Sequence, residues 1–416
     1  MKSDGALRAF KHRNYRILFP AFFLSNIGTW AQRIAQDWLV LELTGSAQLL
    51  GLITALQFLP SLLLSLYGGL LADRFDKRIL LMITNLGAGV GSVTLGLLVI
   101  TDQVQVWHVA LLAFVVGVFS ALDAPVRTSF NSELVGQQDI PSAISLNSAN
   151  FNAGRLIGPA ASGFLIVLFG TGVSFIVNSF TYVAVVIALV AMNKENLFIS
   201  AAPHRAAKLR QAFNYVLANR EMKLVMIAVF FATTFGLNFQ IFMAVMATTV
   251  FGKGPAEFGI LGSVLAIGSF TGVLISARLE HLRVPKFVML GGMLFGVLLT
   301  VTAWMPDYGS FAAILPLVGG VALLTLISAN SYVQTNCEPS LRGRVMGIYL
   351  LIFMGGTPLG APLIGWFAEV AGIRLAIFVC GLTVLAASAV IYFLLLRNPG
   401  PEPITESIPI IPEQQG

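Results

Sequence analysis

The sequence predicts an all-α membrane protein: twelve transmembrane helices in two pseudo-symmetric six-helix bundles, with both termini in the cytoplasm. Three observations predict it. Only 11% of the 416 residues are charged and 56% are hydrophobic, with mean hydropathy +0.84. A soluble globular chain carries roughly 25% charged residues, so most of this chain's outer surface must face lipid. Charged or Gly-, Pro- and Asn-rich breaks divide the chain into twelve apolar runs. All but four of the 25 lysines and arginines fall in alternate breaks or at the flanking ends, which by the positive-inside rule are cytoplasmic.

The runs lie near 17–43, 47–71, 79–100, 107–127, 142–169, 172–192, 223–250, 257–278, 287–305, 310–333, 344–367 and 373–396. Each is long enough to cross a hydrocarbon core. Lys253 and Arg374 are the only basic residues on the outer side, and Arg33 and Arg155 lie within runs. Trp38, Trp107, Trp304 and Trp366 fall at outer helix ends, where an amphipathic ring suits the interface. The N-terminus does not read as a cleavable signal: sixteen polar, basic residues precede a run too long for a signal peptide, and that run carries Arg33 and Asp37.

Four domains follow: a bundle over 1–192, a linker over 193–222, a second bundle over 223–397 and a Pro-rich, disordered tail over 398–416. Within the linker, 207–219 reads as an amphipathic helix with Leu209, Phe213, Val216 and Leu217 on one side. A faint repeat of about 200 residues relates the halves. Gly69–Arg74 closes the second run as Gly272–Arg278 closes the eighth, and Gly158-Pro159 in the fifth matches Thr357-Pro358 in the eleventh. Two related six-span halves form an architecture used by transporters.

Several classes are excluded. The net charge of +6 is spread over short loops, not gathered into a stripe with aromatics, so no nucleic acid is expected. No nucleophile–base pair, phosphate-binding glycine loop or His/Asp metal cluster is present, so neither an enzyme nor an ATP-driven pump is expected. Cys337 and Cys380 read as free thiols, and the outer loops are too short for a receptor's ligand domain.

Charges inside a bilayer cost roughly 2.5–3.5 kcal/mol each by insertion scales and should face the bundle interior. Arg33 and Asp37 are spaced i and i+4 on one helix face. They form either a self-neutralised pair at the outer rim or a proton-shuttling carboxylate beside a polar wall of Asn26, Gln32 and Gln36. Arg155, near the middle of the fifth run, needs an anionic partner or an anionic substrate; otherwise it packs against polar groups such as Asn152.

The loop Gly69-Leu70-Leu71-Ala72-Asp73-Arg74-Phe75-Asp76-Lys77-Arg78 resembles the signature of the major facilitator superfamily, G-x-L-A-D-R-x-G-R-R, with Asp76 where glycine is usual. Other stretches resemble the branch containing the enterobactin exporter and the macrolide efflux proteins. These are Asp123-Ala-Pro125-Val-Arg127, Leu146-Asn147-Ser148, Asn152-Ala-Gly154-Arg155, Asn330 with Gln334, and Arg342-Gly343-Arg344. The stretch Gly154-x3-Gly158-Pro159-x2-Ser162-Gly163 resembles the antiporter signature of the fifth span, with Ser162 for one glycine; ordinary small-residue packing would explain it equally.

The resemblance implies export of a small hydrophobic or amphipathic molecule, usually by proton antiport, from a bacterial inner membrane. It implies a monomer with no cofactor, energised by the proton gradient. A same-fold importer or lipid flippase is the alternative. Spans 1 and 5 adjoin in this fold, so Asp37 is the implied partner of Arg155. Spans 7 and 10 line the cavity, which makes Phe235, Asn238, Phe239, Phe242, Asn330 and Gln334 the implied substrate contacts. Gly69, Asp73, Arg74, Lys77, Asp123 and Arg127 are implied to form an inner-face latch that stabilises the outward-open state, with Asp73 capping the start of the eleventh span. A solvated charge cluster is the plainer alternative.

Overall fold

The computed structural model describes residues 5, 7–198, 209–278 and 284–397. The tail over 398–416 and the start of the expected linker helix at 207–208 lie outside them. The described residues are helical throughout, with no β-strand. The helices are α1 (Arg13–Thr44), α2 (Ala47–Arg74), α3 (Lys77–Ile100), a long run Val106–Phe169 and α6 (Thr171–Ala191). The linker helix is α7 (Leu209–Ala218), and the second half holds α8 (Arg220–Val250), α9 (Pro255–Arg278), α10 (Pro285–Thr302), α11 (Tyr308–Thr335), α12 (Arg342–Ala371) and α13 (Ile373–Arg397).

Among the described residues, ten helices are long and apolar enough to cross a membrane. Helix α1 spans 32 residues but is not one of them, because Gln32, Arg33, Gln36 and Asp37 dilute its apolar character. The run Val106–Phe169 counts once although it is 64 residues long. Gly136 breaks it, at φ 67° and ψ 169°. A side chain is disfavoured there by the positive φ and by the Phe198 ring 3.2 Å from where a Cβ would sit. The run therefore divides into α4 (106–135) and α5 (137–169).

Helix packing repeats along the chain. Helix α1 packs on α5, α2 on α4 and α3 on α6; α8 packs on α12, α9 on α11 and α10 on α13. The halves meet along α2–α12 and α5–α9. Small residues bring these backbones together: Gly51 lies against Ala361 and Gly365, and Gly259 and Gly262 lie against Pro159. With lipid tails as apolar as leucine, such close backbone contact supplies much of the association energy.

Helix α8 is irregular. It is α-helical to Phe231, π-helical over Ala232–Gly236, opens at Leu237 and Asn238, resumes over Phe239–Val245 and ends π-helical over Met246–Val250. Irregular backbone at membrane depth persists only where protein or a cavity covers it, and π-bulges gather at functional sites.

Some local expectations need correction. In α7 the buried stripe is Ala212 and Val216, whereas Phe213 and Leu217 are about half exposed; side chains at 213 and 217 lie one step of roughly 100° round the helix from 212 and 216. Trp107, Trp304 and Trp366 are exposed at helix ends, but Trp38 packs into the core. Asp76 needs no glycine geometry (φ −59°) and caps α3, accepting the Arg78 and Ile79 N–H groups at 2.9 and 3.3 Å. Arg78 is buried and donates to the Leu189 and Val190 carbonyls at 2.6 and 2.9 Å, satisfying the end of α6. Both cysteines are free and buried, and burial pushes the Cys337 thiol, in the loop after α11, above its usual range.

Candidate functional site

Two cavities of about 380 Å³ each adjoin at the middle of the molecule. The lower one lies within the first half and reaches Asn26, Asn85, Asp123, Arg127 and Asn147. The upper one lies between the halves, with Arg33, Phe58 and Arg155 on one side and Asn238, Phe239 and Gln240 on the other. Trp30, Arg33, Ser120, Ala124 and Phe151 border both. Each falls within the 300–1,000 Å³ range of small-molecule sites.

Trp30 organises the centre. The Arg33 guanidinium carbon sits 4.7 Å from its ring centroid and 5.1 Å from that of Phe58. The Arg155 guanidinium sits over the same Trp30 ring at 5.4 Å. Gly158 lets α5 approach closely enough for this, since a Cβ there would press on the Trp30 Cβ at 2.6 Å. Among the described residues, neither arginine has an ion-pair partner.

No ion pair joins Asp37 to Arg33 or to Arg155 among the described residues, although the Arg33 and Asp37 charges still act on one another. Asp37 is 1% exposed, borders neither cavity, and its Oδ2 has no hydrogen-bond partner. The reason is direction. Helical side chains lean toward the N-terminus, so an arginine at i reaches away from an acid at i+4. The reverse order works: Asp123 at i and Arg127 at i+4 pair at 2.7 Å. Asn152 does not serve Arg155 either, since it donates to the Ser148 carbonyl at 2.8 Å.

The polar wall expected beside Asp37 is partly structural. Gln32 accepts from Ser92 and Asn178, both at 2.6 Å, tying α1 to α3 and α6. Gln36 donates to Gln57 at 3.4 Å. Asn26 borders the lower cavity and donates to Asn150 at 2.9 Å. Of the expected second-half contacts, Asn238 and Phe239 border the upper cavity. Phe235 stacks on Phe231 at 6.1 Å, Phe242 is buried among core side chains, Asn330 faces Tyr349, and Gln334 is exposed. None of these four borders either cavity. Residues missed were Trp30, Phe58, Phe151 and Gln240; an aromatic three positions before Arg33 was the one available signal.

The latch expected of the outward-open state is not closed here among the described residues. Asp73 and Arg74 are exposed, without ion-pair partners among the described residues, and nothing lies within 4 Å of where a Gly69 Cβ would stand. Lys77 pairs with Glu133 instead, and Asp123 accepts from Thr84, Asn85 and Arg127. Asp73 has no second-half partner because the halves meet at the other end of α2. There Gly51 and Ala47 press on α12, Gly163 presses on Pro255, and Glu369 caps α2. The Glu369 carboxylate accepts from the Ala47 and Gln48 N–H groups at 2.7 and 3.3 Å and from the Ser46 hydroxyl at 3.2 Å. Such a carboxylate on a helix N-terminus contributes about 0.3–1 kcal/mol. Glu369→Ala is expected to shift the balance toward separation of this end about two- to fivefold, read as thiol accessibility of a cysteine at Gln48.

A profile of the transmembrane secretion effectors, a family of the major facilitator superfamily, matches residues 4–412. The chain belongs to that family. Proteins similar to this one include the staphyloferrin A transporter of Staphylococcus aureus (strain NCTC 8325 / PS 47), 25% identical across 91% of this chain and 96% of that one. The multidrug efflux pump Tap of Mycolicibacterium fortuitum is 26% identical, covering 91% and 94%. The enterobactin exporter EntS of Shigella boydii is 21% identical, covering 85% of each. Among solved structures, a bacterial homologue of the human lysosomal transporter Spinster superposes with TM-score 0.74 at 16% identity, covering 93% and 97%, and the nucleoside transporter NupG with 0.69 at 16%, covering 92% and 98%. The chain is thus a multi-pass membrane transporter, and its fold is that of the Spinster homologue and NupG.

Proposed function

We propose that this chain exports a small hydrophobic or amphipathic molecule, drug- or siderophore-like, across a bacterial inner membrane by alternating access, driven by proton antiport. The observation that carries this reading is a central chamber walled by both halves, whose close backbone contacts gather where Gly51 meets Ala361 and Gly365 and where Gly163 meets Pro255. Rocking about that chamber would expose it to either side in turn. In this reading the broken run contributes two crossings and α1 one more, which makes twelve. They form bundles over 1–192 and 223–397, joined by the cytoplasmic linker 193–222. The lysine and arginine distribution supports cytoplasmic termini, so the sealed end is the outer one. Similarity to a staphyloferrin A transporter, a multidrug efflux pump and an enterobactin exporter supports a drug- or siderophore-like cargo.

Asp37 is proposed to carry the proton. It is the carboxylate buried at membrane depth without a hydrogen-bonded oxygen partner on Oδ2, and such groups mark proton paths. In everted vesicles, wild-type protein should accumulate cargo when a proton gradient is imposed and stop when it collapses. Asp37→Asn should lose gradient-driven accumulation yet retain exchange down a cargo gradient. Full accumulation by Asp37→Asn would remove that carboxylate from the coupling, and accumulation only in right-side-out vesicles would indicate import.

A further inference from the structure

We propose that the cargo carries an anionic oxygen group next to a planar ring, and that this headgroup seats against Trp30 between Arg33 and Arg155, opposite Gln240. The proposal rests on the transporter reading and deepens it by naming the cargo's chemistry.

Two guanidinium groups border the chamber without an ion pair among the described residues. Each lies over an aromatic ring, which occupies one face of the planar cation and leaves its in-plane N–H donors free. That fork fits a carboxylate, or paired ionised phenolic oxygens, in two parallel hydrogen bonds. Charge counting agrees. Asp123 and Arg127 neutralise one another at the lower cavity. Asp37, even when ionised, offsets one of the two arginines, which leaves one positive charge in a chamber whose other lining residues, among them Trp30, Phe58, Phe151 and Phe239, are uncharged. One anionic group would complete neutrality; a cationic headgroup would meet like charge.

The facing wall contributes hydrogen bonding. Gln240 Nε2 and Asn238 Oδ1 are buried without partners, on the segment where α8 opens. A buried amide left unpaired costs about 1–3 kcal/mol, which a cargo oxygen or hydroxyl reaching Gln240 would recover. The cargo would thus touch both halves, the first by charge and the second by hydrogen bonding.

The test uses purified full-length protein and three probes sharing one ring: 1-naphthoate, 1-naphthamide and 1-naphthylmethylammonium. Binding is read by calorimetry and by quenching of tryptophan fluorescence. Naphthoate should bind at least about tenfold more tightly than the other two, the ratio expected for one charge-assisted hydrogen bond. Arg155→Gln should weaken naphthoate binding several-fold more than naphthamide binding and so reduce that preference, with Arg155→Lys restoring part of it. Equal or tighter binding of the ammonium probe, unchanged naphthoate binding in both Arg155→Gln and Arg33→Gln, or no binding of any probe at millimolar concentration would overturn the proposal. The charge series on wild-type protein decides the matter even where a variant fails to fold. Binding needs no gradient and no direction, so failure of export in vesicles would leave this result standing, and the reverse also holds.

Discussion

Gly51→Val is expected to abolish transport while leaving the protein folded. Gly51 has a helical backbone, and valine is at least as good a helix former. A Cβ there would strike the Ala361 carbonyl oxygen and come within 3.1 Å of the Gly365 Cα. These are backbone atoms of the opposite half and cannot swing aside as a side chain could. Helices α2 and α12 would therefore have to separate at the sealed end. Spin labels at Gln48 and Val370, both exposed, should report a longer distance than in wild type, and cargo flux in vesicles should fall to background. Normal flux with an unchanged distance would show that the α2–α12 crossing tolerates bulk and does not act as a gate. Ala at the same position, with fewer atoms to place, should fall between the two.

The second large effect is on stability. Asp123 accepts from Thr84 Oγ1 at 2.9 Å and Asn85 Nδ2 at 2.8 Å on one oxygen, and from Arg127 Nε and Nη2 at 2.8 and 2.7 Å on the other. It joins α3 to α4 and neutralises an arginine that also lies 4.2 Å from the Phe22 ring centroid on α1. Asp123→Ala strands that cation, while Thr84 and Asn85 keep the Leu81 carbonyl as an acceptor at 3.1 and 2.8 Å. Breaking a buried pair from one side costs about 3–5 kcal/mol. Because the site borders a cavity and both side chains keep some exposure, 13% and 16%, about 2–3 kcal/mol is the expected cost here. Thermal unfolding in detergent should show a clearly lower midpoint, with Asp123→Asn intermediate because its one carbonyl oxygen still accepts from one set of donors while its –NH2 cannot accept from the other. An unchanged midpoint would mean that water replaces all four contacts at no cost.

The same two residues show how far the sequence could be read. The i, i+4 spacing of Arg33 with Asp37 and of Asp123 with Arg127 is identical, and spacing alone predicts two pairs. Only the second forms, because side-chain lean favours the acid-first order. That rule was available from the sequence. What was not available was the alternative partner: Arg33 gains Trp30 from its own helix but Phe58 from α2, and Arg155 reaches Trp30 from α5. Likewise Asp73 and Arg74 sit where the loop motif places them, but their partners depend on which end of the two halves has closed.

By itself, then, the sequence determined the helices, the two-half repeat in their order, and the scarcity of charge within them. Those properties follow from local hydropathy and from backbone groups that must be satisfied within each segment in lipid. Tertiary structure alone decided which buried charges meet, that Gln32 braces three helices instead of lining a site, and that an irregular α8 offers Gln240 to the chamber. Contacts between helices depend on rotation, crossing angle and the state of closure, and none of these leaves a periodic mark on the chain.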